Sequence, residues 1–195
     1  MSDGSRKRLS ADDRRRQLLG IGLSKLIEKP IQELSLDEVA AEAGISRGLL
    51  FHYFPTKNDF YVECMAAAGR RILRTTKPDE NEPGDVQVAS MVRLLLERIS
   101  RRREFYLSLI QPAHDPRLVQ VHENVRTVLT DRVLAALALD EARRPLVHAW
   151  WSYVEDRGLS WTDRATDRAT DRATPDPEAL ATHCTSALQA LLALE

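Results

Sequence analysis

LSLDEVAAEAGISRGLLFHYFPTK, residues 34 to 57, decides the fold of the amino-terminal part of this chain. Ser35 stands three residues before Glu38, the spacing at which a hydroxyl and a carboxylate satisfy each other's helix-end amides in a capping box. Val39, Ala40 and Ala43 give the short helix that follows a small apolar face. Gly44 ends that helix, because glycine turns left-handed with the least strain. Ser46 is the next N-cap, and its helix runs from Arg47 to about Phe54 before Pro55 stops it and Thr56 caps another. Two short helices joined by a glycine-containing turn of about 3–4 residues form a helix-turn-helix, whose second helix enters the major groove of DNA. The stretch therefore predicts a DNA-binding head.

Upstream, apolar spacing predicts a helix from Ala11 to Glu28, closed by Pro30, with Leu18, Leu19, Gly22, Leu26 and Leu23 towards its buried side. Residues 1 to 16 carry six basic residues (Arg6, Lys7, Arg8, Arg14, Arg15, Arg16) against three acidic ones. The whole chain is nearly neutral at a net charge of −1, so this local cluster is the electrostatic footprint expected for phosphate contact.

Downstream the spacing is helical throughout. Helices are expected over Thr56 to about Thr75, Val86 to Arg101, Glu104 to Ile110, Pro116 to about Leu139 under an Asp115 cap, 145–161, and 177–194, with a loop at Lys77 to Asp85. The fold class is all-α with about nine helices: a three-helix helix-turn-helix head over 1–57 and a helical domain over 58–195. Thr162 to Ala173 is three tandem copies of TDRA, and residues 162–174 read as a solvated insertion of fraying helix or loop.

In the second short helix Leu50 and Phe54 lie four apart and face the head's core. Arg47, one residue in, is placed to bond guanine or phosphate, and Gly48 permits close approach to the duplex. Tyr53 and Lys57 offer a phenol and a cation for phosphate contact, while Ser35 and Ser46 expose helix amino-termini suited to anions. The candidate DNA-contacting set is Ser35, Ser46, Arg47, Gly48, Leu49, His52, Tyr53 and Lys57.

These residues closely resemble the N-terminal domain of the TetR (tetracycline-repressor-like) transcriptional regulators. That family's pattern has a Ser/Thr-capped helix, Ala-x-x-Ala-Gly-Val-Ser, a short helix ending in Tyr-x-x-Phe, then Ser/Thr-Lys. The chain gives Ala40-Ala41-Glu42-Ala43-Gly44-Ile45-Ser46, Phe51-His52-Tyr53-Phe54 and Thr56-Lys57, and the resemblance covers about residues 12 to 66. It implies an all-helical homodimer that binds double-stranded operator DNA, with a variable carboxy-terminal domain for a small-molecule effector. It also implies dimerisation through the last two helices, 145–161 and 177–194. The family often has Thr where this chain has Leu49 and Tyr where it has Phe51, so two hydroxyls that commonly touch DNA are missing. Leu49 can instead meet a thymine methyl.

The carboxy-terminal half reads as a helical enclosure for that effector. Phe105, Tyr106, Leu109, His122, Val125, Leu129, Trp150 and Tyr153 are the candidate lining, with core or dimer packing as the competing reading of each. Trp150 and Trp151 point about 100° apart on a helix, so one should fill the core and the other face the pocket or the dimer partner. The expected function is a ligand-responsive DNA-binding regulator, a repressor by family resemblance. Its alternative is a helical small-molecule-binding or scaffolding protein that no longer binds DNA.

Other classes find little support. Gly44-Ile45-Ser46-Arg47-Gly48 matches the hydrolase G-x-S-x-G elbow, but that chemistry needs a strand before the serine. No phosphate-binding loop, dinucleotide fingerprint or metal-spaced histidine appears, so no cofactor, no metal and no enzyme activity are expected. Cys64 and Cys184 form no motif and fit buried packing in a reducing compartment. No signal peptide is seen, and the longest apolar run, Val133 to Leu139, has seven residues, far short of a membrane span, which points to a cytoplasmic protein.

Overall fold

The computed structural model describes residues 9–28, 33–110, 115–166 and 176–194. These residues hold nine α-helices and no strand: α1 (Ala11–Glu28), α2 (Leu36–Glu42), α3 (Arg47–Tyr53), α4 (Lys57–Thr75), α5 (Gly84–Arg101), α6 (Arg103–Ile110), α7 (Pro116–Ala136), α8 (Arg144–Thr166) and α9 (Pro177–Leu194). No described helix is long and apolar enough to cross a membrane. The chain divides into two compact units, Met1–Ala68 and Gly69–Glu195, so the boundary falls inside α4 rather than at its start.

In the first unit the helix ends follow from local chemistry. The Ser35 hydroxyl accepts from the Glu38 amide at 3.4 Å, and Ser46 accepts from the Leu49 amide at 3.2 Å. Thr56 accepts from the Asp59 amide at 3.0 Å and donates to its carboxylate at 2.8 Å, which makes it the N-cap of α4. Gly44 sits at φ +66, where the Ile45 amide reaches back to the Ala40 carbonyl and the Gly44 amide to Ala41, closing α2 as a Schellman turn. Leu18, Leu26, Val39, Leu50, Phe54, Phe60 and Met65 are buried together, with Phe54 edge-on to Phe60 at 5.0 Å. Leu23 is only half-buried. A Cβ on Gly22 would come within 2.5 Å of the Phe60 ring and 2.7 Å of the Cys64 sulfur, so glycine there sets how closely α1 approaches α4.

In the second unit α5 is the central helix, its Val88, Met91, Val92, Leu95, Leu96 and Ile99 buried against α8 and α9. Helix α7 packs on α8, with α6 against α7. Three expectations need correction. Trp150 and Trp151 are both fully buried, with ring centroids 4.7 Å apart, so neither is given up to an open surface. Helix α8 does not stop at 161 but runs to Thr166, because Trp161 and Thr162 are buried and hold the turn that enters the first TDRA copy. The remaining repeat, residues 167–175, lies outside the described residues. Helix α7 ends three residues earlier than its spacing suggested, at a Schellman turn built on Ala138 (φ 51), with the Leu139 amide bonded to Leu134.

Candidate nucleic-acid interface and a buried polar centre

Helix α3 buries one side and presents the other. Leu50 and Phe54 are buried, whereas Ser46, Arg47, Gly48, Leu49 and His52 are exposed, and Phe51, Tyr53 and Lys57 are half-buried. Leu49 leaves 40% of its surface in solvent, an apolar side chain standing out on the exposed side of a helix. Gly48 sits in α3 with no heavy atom within 4 Å of where a Cβ would stand. Glycine in a helix costs up to about 1 kcal/mol relative to alanine, less in the first turn where Gly48 stands, and nothing inside this chain requires it. Arg47 is held: its guanidinium bonds both Asp37 oxygens at 2.7 and 3.0 Å and lies 5.3 Å from the Phe51 ring centroid. Both partners of that ion pair are well over half exposed, so the pair is worth less than about 1 kcal/mol and can exchange for another anion.

The described half of the basic cluster lies in the first turns of α1 and bonds within the fold. Arg14 donates to the Ala43 carbonyl at 3.1 Å, beside the Gly44 turn. Arg15 donates to the Tyr53 carbonyl at 3.1 Å, pairs with Glu63 at 2.9 Å and stacks 4.6 Å from the Phe54 centroid. Arg16 pairs with Asp13. Thus Arg14 and Arg15 fasten α1 to the ends of α2 and α3. Arg6, Lys7 and Arg8 lie outside the described residues.

In the second unit two of the candidate lining residues meet on a carboxylate that sequence reasoning overlooked. The Tyr106 hydroxyl donates to Glu155 Oε1 at 2.8 Å, and His122 Nε2 lies 2.8 Å from the same oxygen. Against an ionised carboxylate, which only accepts, His122 Nε2 is placed to be the second donor. Burial, and then the Glu155 charge, push the Tyr106 phenol well above its ordinary pKa, so it stays a neutral donor. Glu155 is 6% exposed, and its Oε2 has no hydrogen-bond donor among the described residues. Beside this centre Arg126 donates to Ser152 at 2.6 Å and to the His148 carbonyl at 2.7 Å, joining α7 to α8.

Of the other candidates, Val125 and Leu129 are buried on α7, and Phe105 is half-buried on α6. The Leu109 side chain lies outside the described residues. Trp150 and Tyr153 turn elsewhere. The Trp150 indole donates to the Cys184 carbonyl at 2.9 Å, and the Tyr153 hydroxyl pairs with His183 at 2.7 Å, so both engage α9. One helical turn before Glu155, Trp151 Nε1 is buried without a hydrogen-bond partner among the described residues, as is Thr130 Oγ1 on α7.

Comparison with known proteins agrees with this geometry. Residues 23–64 match the family described as bacterial regulatory proteins, tetR family. Over those residues the chain carries a tetR-family domain. It is 40% identical over 50 residues to the HTH-type transcriptional regulator EthR of Mycobacterium tuberculosis. That match spans 26% of this chain and 23% of EthR, so the chain matches less than a quarter of that relative's length. The fold extends further. A crystal structure of a TetR-family transcriptional regulator from Streptomyces coelicolor superposes with a TM-score of 0.78 at 24% identity, over 95% of this chain and 83% of that one. FadR from Bacillus subtilis, in complex with stearoyl-CoA, gives 0.61 at 13% identity, over 89% and 96%.

The TetR-family head also disposes of the hydrolase-like Gly44–Gly48 match. A helix, not a strand, precedes Ser46, and its hydroxyl accepts the Leu49 amide as an N-cap instead of standing free as a nucleophile.

Proposed function

We propose that this chain is a cytoplasmic, ligand-responsive transcriptional regulator that binds double-stranded operator DNA as a homodimer through α8 and α9. The observation that carries the reading is the exposed side of α3: Gly48 is unfilled and unneeded by the fold, beside an exposed Leu49 and an exchangeable Arg47. A glycine that only weakens its own helix fits close approach by a duplex. Leu49 offers an apolar contact for a thymine methyl, and Arg47 a bidentate donor for guanine or phosphate.

The effector centre would be Glu155 with Tyr106 and His122. A buried carboxylate with a free acceptor oxygen favours a small molecule bearing a basic or N–H donor group, packed on Val125, Leu129 and Phe105. Release from DNA then follows from linkage: an effector favouring a head spacing other than the about 34–36 Å of successive major grooves lowers DNA affinity by the factor that DNA lowers effector affinity. Repression is the simplest outcome of such release.

The Arg47–Asp37 pair favours a second reading, in which the head no longer binds DNA and the chain is a helical small-molecule-binding protein. A gel-shift titration against the chain's own upstream region at low salt separates the two. The regulator reading expects saturable binding that Arg47→Ala weakens at least about tenfold, the factor for about 1.4 kcal/mol. Binding to no promoter fragment would favour the second.

A further inference from the structure

The carboxy-terminal unit carries a charge imbalance that neither its packing nor the Glu155 centre uses. A hollow of about 240 Å³ lies between the last turns of α4 and the end of α5, and Arg71, Arg98, Arg101 and Arg102 line it. One carboxylate, Glu97, faces the same space, and it is already engaged by Arg93 at 2.6 Å and by Arg101 at 3.5 Å. Among the described residues Arg71, Arg98 and Arg102 have no ion pair of their own. Arg98 and Arg102 are half-buried, whereas Arg71 and Arg101 reach solvent.

Helix-end cations are ordinary, since α4 and α5 finish here and a helix carboxy-terminus favours positive charge. That effect amounts to about half a unit charge per helix, which does not balance four guanidiniums around one shared carboxylate. The strain registers on Arg98. Burial first, then the like charges of Arg71, Arg102, Arg101 and Arg74, hold its guanidinium below the usual arginine range. Arginine does not deprotonate in response, so the repulsion stays until an anion enters.

We propose that this hollow is a binding site for a compact multiply charged anion, the phosphate or pyrophosphate group of a small metabolite. Guanidinium forks match phosphate oxygens in bidentate geometry, and four around one space suit a doubly charged group better than a single carboxylate. The Thr75 hydroxyl is occupied by the Arg71 and Ile72 carbonyls, so recognition rests on charge and the arginine forks. A concave site of this size takes a small group more readily than the convex backbone of a duplex. The site shares no residue with the Glu155 centre or with α3, and it stands whether or not the head binds DNA.

The test uses the full-length chain with sodium pyrophosphate as probe, by calorimetric titration and by thermal unfolding at constant ionic strength. Pyrophosphate should bind saturably and raise Tm, while sodium chloride at matched ionic strength should not. Arg98→Met, which keeps most of the stem, and the half-exposed Arg102→Gln should each weaken binding at least tenfold. Arg98→Met should also leave the unliganded Tm unchanged or raised, because it removes a repelled charge; a merely structural Arg98 would lower it. Equal pyrophosphate affinity in wild type and both variants would overturn the proposal, as would a Tm shift reproduced by chloride. So would binding of random-sequence duplex that depends on Arg98 and Arg102 as strongly as pyrophosphate binding does, since the surface would then be a nucleic-acid track.

Discussion

A methyl group built on Gly48 would touch nothing within 4 Å, so the fold alone would be better served by alanine. Gly48→Ala is expected to raise unfolding stability by about 0.5–1 kcal/mol in denaturant titration, the helix-propensity gain, while weakening operator binding about tenfold or more. Unchanged DNA affinity in that variant would remove the main support for α3 as the reading helix. The neighbouring Asp37 gives the opposite sign. Asp37→Asn frees Arg47 and removes a negative charge beside the phosphates, so low-salt DNA affinity should rise about two- to fivefold, in keeping with an exposed pair worth under about 1 kcal/mol. The two cysteines offer a simpler check. Burial pushes the Cys64 thiol up to about 12 and Cys184 to about 11, so both are neutral and shielded near neutral pH. Iodoacetamide should leave both unmodified in the native chain at pH 7.5, with labelling following unfolding. Because folding favours the protonated thiols, their contribution to stability persists below about pH 9 and is lost as pH rises towards 11–12.

At the scale of elements, what the sequence made legible was what local chemistry determines. Ser35, Gly44, Ser46 and Thr56 each act within three or four residues of themselves, and all four end or begin helices as their types predict. The bonds of Arg14 and Arg15 were not legible for the converse reason. Their partners, the carbonyls of Ala43 and Tyr53, lie 29 and 38 residues away, and no local pattern announces such a bond. Glu155 was partly legible. It stands four residues after Trp151 and one after Val154 on an otherwise apolar side of α8, and a carboxylate in such a position needs buried donors. Its donors come from α6 and α7, so the centre itself required the fold. Glu155→Gln should preserve helix content and shape. Glu155→Leu should lower stability by about 1–3 kcal/mol in thermal or urea unfolding, because Tyr106 and His122 are left as buried donors without an acceptor. If Glu155 is the effector's acceptor, Glu155→Gln should also blunt effector-induced release from DNA in cells while leaving DNA binding intact. Full response in that variant would assign the buried carboxylate to structure alone.

For the whole molecule the open question is what covers α9. Its buried side is Ala181, Cys184 and Leu188, which pack into the carboxy-terminal unit. A second apolar stripe, Leu180, Ala187, Leu191 and Leu194, runs beside it and is half-buried to exposed, with Leu191 at 40% and Leu194 at 82%. Helices with one apolar side bury it once, and a helix with two buries the second against another helix. A second copy of the same helix is the economical partner, since a two-fold axis lets one patch satisfy itself. Leu191→Glu would place a charge at the centre of that stripe in both copies at once. Light scattering is then expected to give a dimer for the wild type and monomers for the variant, with little change in helix content because Leu191 is not core. The functional consequence follows from phosphate counting. A dimer neutralises twice the phosphates of one head, and each contributes about 0.9 to the slope of log affinity against log salt. The monomeric variant should therefore bind operator DNA far more weakly and with roughly half the wild-type salt slope. A dimer that persists in Leu191→Glu, or a monomer that keeps the full slope, would place the dimer contact or the DNA-binding stoichiometry elsewhere.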